Sequence, residues 1–151
     1  DAVGGYQESK FFEPGTDVVV AKTPFGNIGL MVCYDLRFPE LALNLRAKGA
    51  NLLTAPSAFT YTTGEMHWQL LLQTRAMDTQ CSVLGAAQQG WHGEKRQTWG
   101  HAAATNSRGQ LLQMIHAEGA GLITVDFDLN EQQKVRESMP LMQHRKLLQL
   151  S

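Results

Sequence analysis

Cys33 closes an apolar run, Ile28 to Cys33, and "YDLRFPE" follows at once. A thiol at the C-terminal end of a buried strand, just before a helix, sits where open α/β sheets place their reacting groups. The arrangement resembles a nucleophile elbow. There a sharp turn exposes the side chain and aims the next backbone N–H at a developing oxyanion. The residue type alone favours a packing role, because free cysteine is among the most buried residues. The second cysteine, Cys81, lies between a helical and a strand pattern with no charge adjacent in sequence, which reads as core. Two cysteines without CxxC spacing make neither a disulfide framework nor a zinc ribbon. The five histidines show no HExxH or CxxH spacing, so neither a metal nor another cofactor is expected.

The elements that would position Cys33 follow from patterning. Val18–Ala21 reads as a strand, Thr23–Gly26 as a turn and Ile28–Cys33 as a second, buried strand. Pro39 suits the first turn of a helix, Glu40 suits its positive end, and Leu41, Ala42 and Leu45 form a stripe that Gly49 stops. Leu52–Ala55 is a short strand ended by Pro56. Gly64–Gln80 carries Trp68, Leu71, Leu72, Ala76 and Thr79 on one face, the best helix in the chain, and Cys81–Ala87 is the next buried strand. Strands are then expected at His101–Thr105, Leu111–Ile115 and Gly121–Val125, with a turn at Asn106–Gly109 and a short helix over Leu129–Glu137. The Gly-flanked "GWHGEKRQTWG" reads as a mobile lid. Alternating strands and helices followed by hairpins argue for an α/β layered domain.

Composition bounds the partners. The chain has 151 residues, 43% of them hydrophobic, enough for one core. A charged fraction of 18% and a net charge of -1 give no electrostatic reason to expect nucleic acid or anionic lipid. No apolar run reaches membrane-spanning length, and "DAVGGYQESK" lacks the segments of a signal peptide. Free thiols then suggest a cytoplasmic protein. Asp1 is not an initiator methionine, and no complete opening element precedes Val18, which suggests a piece of a longer chain, with processing as the alternative.

Four segments together resemble one family. "GLMVCYDLRFPEL", "GANLLTAPSAFTYTTGEMHWQLLLQTRAMDTQ", "GHAAATNSRGQLL" and "MPLMQHRK" are similar, in order, to the nitrilase superfamily of carbon–nitrogen hydrolases. CYDLRFPEL together with PSAFTYTTGEMHW points to the Nit branch, amidases acting on deaminated glutathione and on ω-amides of 2-oxo acids. The resemblance implies a four-layer α-β-β-α sandwich, with residues 1–151 as the C-terminal half of the domain. It also implies a Glu-Lys-Cys triad in which Cys33 is the nucleophile and forms a thioester. The Tyr34 N–H matches an oxyanion donor, and Glu8 a second glutamate that orients the lysine. The family's lysine and general-base glutamate match nothing here. Arg37 resembles the arginine that holds a substrate carboxylate, its planar fork suiting bidentate contact. Without that resemblance, an ion pair with Asp35 or Glu40 explains Arg37 equally well. Phe59 and Thr63, in the loop after Pro56, match residues lining the same pocket, although core and turn roles would explain them too. Asp35 is expected to satisfy turn N–H groups, and Arg75 and Asp78 to form an ion pair on the long helix. His67 could reach the pocket or serve as a hydrogen-bonded structural histidine.

Two readings of function result. One is an amidase for a small linear amide, of which this chain is part, working as a homo-oligomer or with its N-terminal half. The other is a remnant or split subunit that binds partners without turnover.

Overall fold

The computed structural model describes residues 10–116 and 119–146. Glu8 lies outside the described residues, so its expected role has no structural account. A six-stranded mixed sheet organises the chain in the order β1-β2-β3-β4-β7-β8. The strands are β1 (Val20–Thr23), β2 (Gly26–Leu30), β3 (Leu52–Thr54), β4 (Ser82–Gly85), β7 (Ala103–Thr105) and β8 (Leu111–Met114). The centre, β2-β3-β4, is parallel, and both flanks are antiparallel. Parallel neighbours need crossovers, and helices α1 (Pro39–Ala47) and α2 (Tyr61–Thr79) supply them. The remaining helices are α3 (Leu129–Ser138) and α4 (Leu141–His144), and β5 (Gln89–His92) and β6 (Arg96–Trp99) form a separate hairpin.

The core lies between the sheet and α1 and α2. Leu45, Leu53, Leu72 and Val83 are all fully buried there. Gly29 and Gly85 let the layers approach, since a methyl group on Gly85 would fall 2.6 Å from the Trp68 ring. The opposite side of the sheet is looser. Leu30 stays 45% exposed although its register partner Thr54, itself paired with Leu84, sits in the sheet interior. At the far end Asp128 caps α3, accepting from the Asn130 and Glu131 N–H groups, and Gln132 donates to the Asn51 carbonyl. Helix α2 ends at Gln80, which adopts a left-handed conformation (φ 52°) and donates from its side chain to the Met139 carbonyl.

Three expectations change. Gly121–Val125 belongs to no strand, because no neighbouring strand pairs with it among the described residues. The segment expected to be a lid is the β5–β6 hairpin, with Thr98 buried. Trp99 packs so tightly on α2 that a methyl group at Gly64 would overlap it. Helix α2 starts three residues early, which moves Thr63 from the loop into the first helical turn. The expected Asn106–Gly109 turn is present, with Asn106 accepting from the Arg108 and Gln110 N–H groups. Among the described residues no helix is long and apolar enough to cross a membrane.

Candidate active site

Strand β2 stops at Leu30, yet its chain continues to be held by the neighbouring segment. Met31 N–H donates to the Thr54 carbonyl at 3.0 Å and Cys33 N–H to the Pro56 carbonyl at 2.9 Å. At Cys33 the backbone turns sharply into a 3-10 helix spanning Cys33–Arg37. Its φ is +46°, a left-handed value that costs a residue with a Cβ about 1 kcal/mol or more. The Asp35 carboxylate fixes the turn by accepting from Val32 N–H at 2.8 Å, and Asp35 N–H returns a bond to the Val32 carbonyl. The expectation for Asp35 therefore holds. The Cys33 thiol is half-buried and makes no hydrogen bond among the described residues.

Helix α2 anchors this turn from behind. Buried Arg75 donates from Nε to the Leu36 carbonyl at 2.8 Å and pairs through Nη1 with Asp78 at 2.6 Å. Sequence reasoning found the Arg75–Asp78 pair but not the Leu36 bond, which joins residues far apart in the chain and leaves no local signal.

His67, Phe59 and Tyr34 stand around Arg37. Its Nη1 and Nη2 lie 3.3 and 3.4 Å from His67 Nδ1. Its Cζ stands 5.3 Å from the Phe59 ring centre and 5.6 Å from that of Tyr34, within cation–π range. Arg37 belongs to neither ion pair of the described residues, so pairing with Asp35 or Glu40 is not its role. Phe59 is buried and stacks edge-on against Trp68, so it serves the core and faces Arg37 at once. Tyr34 is 58% exposed, with its ring edge-on to Phe38. Thr63 shares a hydroxyl hydrogen bond of 2.8 Å with Thr60, one helical turn before His67. Cys33, Tyr34 and Arg37 thus share one short turn, with Phe59 against Arg37.

Cys81 is placed quite differently. It is fully buried at the N-terminal end of β4, donating to the Ala50 carbonyl at 3.2 Å, with Arg136 Nη2 at 3.5 Å from its sulfur. Core placement was expected, but the neighbouring charge was not, because Arg136 arrives from α3. Burial pushes the Cys81 thiol pKa up, against the lowering effect of Arg136. Burial likewise lowers the Arg136 pKa. A cleft of about 380 Å³ opens beside this end of the sheet, lined by Arg46, Gln80 and Arg136. Another of about 420 Å³ is lined by Ala87, His92 and His101. Cys33 lines neither of them.

Residues 2–137 match the carbon–nitrogen hydrolase family. The chain is similar to the deaminated glutathione amidase of Yersinia enterocolitica, 42% identical over 148 residues, covering 98% of this chain and 51% of that protein. The crystal structure of the Caenorhabditis elegans NitFhit protein superposes with a TM-score of 0.87 at 40% identity, covering 99% of this chain and 37% of that one. Nit3 of Saccharomyces cerevisiae, a member of branch 10 of the nitrilase superfamily, gives a TM-score of 0.84 at 34% identity, covering 92% of this chain and 51% of that one. The chain spans about half the length of the Yersinia relative. It belongs to the carbon–nitrogen hydrolase family, in the Nit branch of the nitrilase superfamily.

Proposed function

We propose that this chain carries the nucleophile of an amidase that hydrolyses a small linear amide bearing a carboxylate, with deaminated glutathione or a related 2-oxo acid amide as substrate. The observation that carries the reading is the strained turn at Cys33, which holds a thiol without a hydrogen bond among the described residues at the C-terminal end of a parallel strand. The Cys33 thiolate attacks the amide carbon. The tetrahedral oxyanion then collapses, the C–N bond breaks and the nitrogen leaves as ammonia after taking a proton. Water attacks the resulting thioester, releasing the carboxylate and restoring the thiol. The Tyr34 N–H donates to the oxyanion, and Arg37 holds the substrate carboxylate beside Phe59 and Thr63.

The general base and the second oxyanion donor come, in this reading, from a segment outside these 151 residues, and that segment completes the four-layer sandwich. Two features support this. No acidic or basic side chain hydrogen-bonds the Cys33 thiol among the described residues. One side of the sheet keeps Leu30 open, with Val32 beyond it 57% exposed. Met66, Leu70 and Met77 also lie exposed at helical spacing along α2, which supports association with a second copy. The same exposed apolar surface favours the second reading, an interaction module without turnover.

Ammonia release from deaminated glutathione separates these readings. It is measured for the 151-residue chain alone and with a segment carrying the family's glutamate and lysine. Turnover by the pair that Cys33→Ala abolishes supports the amidase. Equal turnover by the chain alone overturns the external base. A pair that forms but stays silent favours the interaction module.

A further inference from the structure

Arg37 can meet a planar partner along two edges, and His67 occupies one of them. A guanidinium carries donors only, so His67 Nδ1, facing both Nη atoms, is the acceptor. That fixes the ring as neutral, with its proton on Nε2. An imidazolium, or the other tautomer, would set N–H against N–H. The end-on fork, Nη1 with Nη2, is directed at this single nitrogen. The side-on fork, Nε with the outer hydrogen of Nη2, remains, and Nε has no hydrogen bond among the described residues. The rings of Phe59 and Tyr34 stand beside the guanidinium and restrict its tilt.

We infer that His67, in its neutral Nε2–H form, is a positioning residue that holds the end-on edge of Arg37 and leaves the side-on edge to receive a ligand carboxylate. This rests on the reading of Arg37 as the carboxylate-binding residue and narrows it to one geometry. A carboxylate can pair bidentately with the side-on fork without displacing His67. Thr63 lies one turn earlier on the same face of α2, so one helix supplies both the brace and a neighbouring hydroxyl. A histidine that merely filled space would set no tautomer and no edge.

Nuclear magnetic resonance on the isotope-labelled 151-residue chain tests this in two steps. Long-range proton–nitrogen correlations near neutral pH should show His67 Nδ1 bare and Nε2 protonated. The Nδ1–H tautomer overturns the inference, whatever Arg37 binds. The second step titrates the monoamide of glutaric acid while following the Arg37 Nε–H resonance. That resonance should move with ligand. His67→Phe should weaken the response by roughly tenfold or more, the size of a hydrogen bond to a charged group. His67→Asn, whose carbonyl can accept in place of Nδ1, should restore most of it. An unchanged response in His67→Phe overturns the positioning role and leaves Arg37 as a carboxylate site. A wild-type resonance that never moves, with binding unaffected by Arg37→Gln, overturns the reading of Arg37 and this inference with it.

Discussion

Cys33 and Cys81 stand at opposite ends of the parallel part of the sheet, one after β2 and one before β4, and the protein treats one side chain in two opposite ways. At the C-terminal end of β2 the backbone bends through a positive φ, and the thiol is half-open and makes no hydrogen bond among the described residues. At the N-terminal end of β4 the thiol is sealed, bonded to a carbonyl, and covered by α3 through Arg136. Residue type is identical, so the difference in burial and bonding comes from strand polarity and from what packs over each end. Helices that cross behind a parallel sheet leave loops at the C-terminal ends of its strands, and loops can bend.

The largest expected effect is catalytic. In the completed enzyme Cys33→Ala should lower ammonia release by about 10⁴ or more, while Cys81→Ala should leave kcat within about threefold. Comparable losses from both would erase the contrast. Chemical labelling sharpens it next. Iodoacetamide followed by mass spectrometry should modify Cys33 on the order of a hundredfold faster than Cys81, which reacts only when its surroundings open. Faster labelling of Cys81 in the folded chain would reverse the assignment.

Stability effects are smaller. Arg136→Met removes donors to the Gln80 and Ala50 carbonyls and to the Cys81 sulfur. It should cost about 2 kcal/mol in urea unfolding without altering Cys33 labelling. Cys33→Gly should be more stable than Cys33→Ala by about 1 kcal/mol, because glycine relaxes the positive φ. The same pair at Cys81, which has ordinary backbone, should show no gain for glycine. The raised Cys81 pKa sets the last and smallest effect. Its stabilisation is complete below the ordinary thiol value of 9.0, which the unfolded chain keeps, and is lost as pH rises from there through the folded pKa. Replacing Cys81 with alanine should therefore flatten alkaline destabilisation measured by thermal unfolding. An unchanged alkaline slope would show that Cys81 does not carry it.

Much of this contrast was legible in the sequence, and the failures share a cause. The Pro39 helix start, the Gly49 stop, the long helix with its buried Trp68–Leu72–Ala76 face and the Asn106 turn each depend on residues close together in the chain, and all appear. Arg37 shows the limit. Its neighbours Asp35 and Glu40 suggested an ion pair, but Asp35 is committed to Val32 N–H, and Arg37 turns toward α2. The Leu36–Arg75 and Cys81–Arg136 contacts span 39 and 55 residues, and no local pattern encodes them. Gly121–Val125 failed for a related reason. Its alternation is strand-like, but a strand exists only when another strand pairs with it.

The bond from Arg75 to the Leu36 carbonyl has a consequence for how the molecule breathes and for how it could be rebuilt. Opening the Cys33–Arg37 turn requires stripping a buried guanidinium of its acceptor, so the turn cannot fray alone. Its amides should exchange with solvent hydrogen together with the C-terminal half of α2, as one cooperative unit. Anyone grafting this turn onto another scaffold would have to carry the nineteen-residue helix with it. Moved without α2, the turn would relax its strained φ and the thiol would lose its aim.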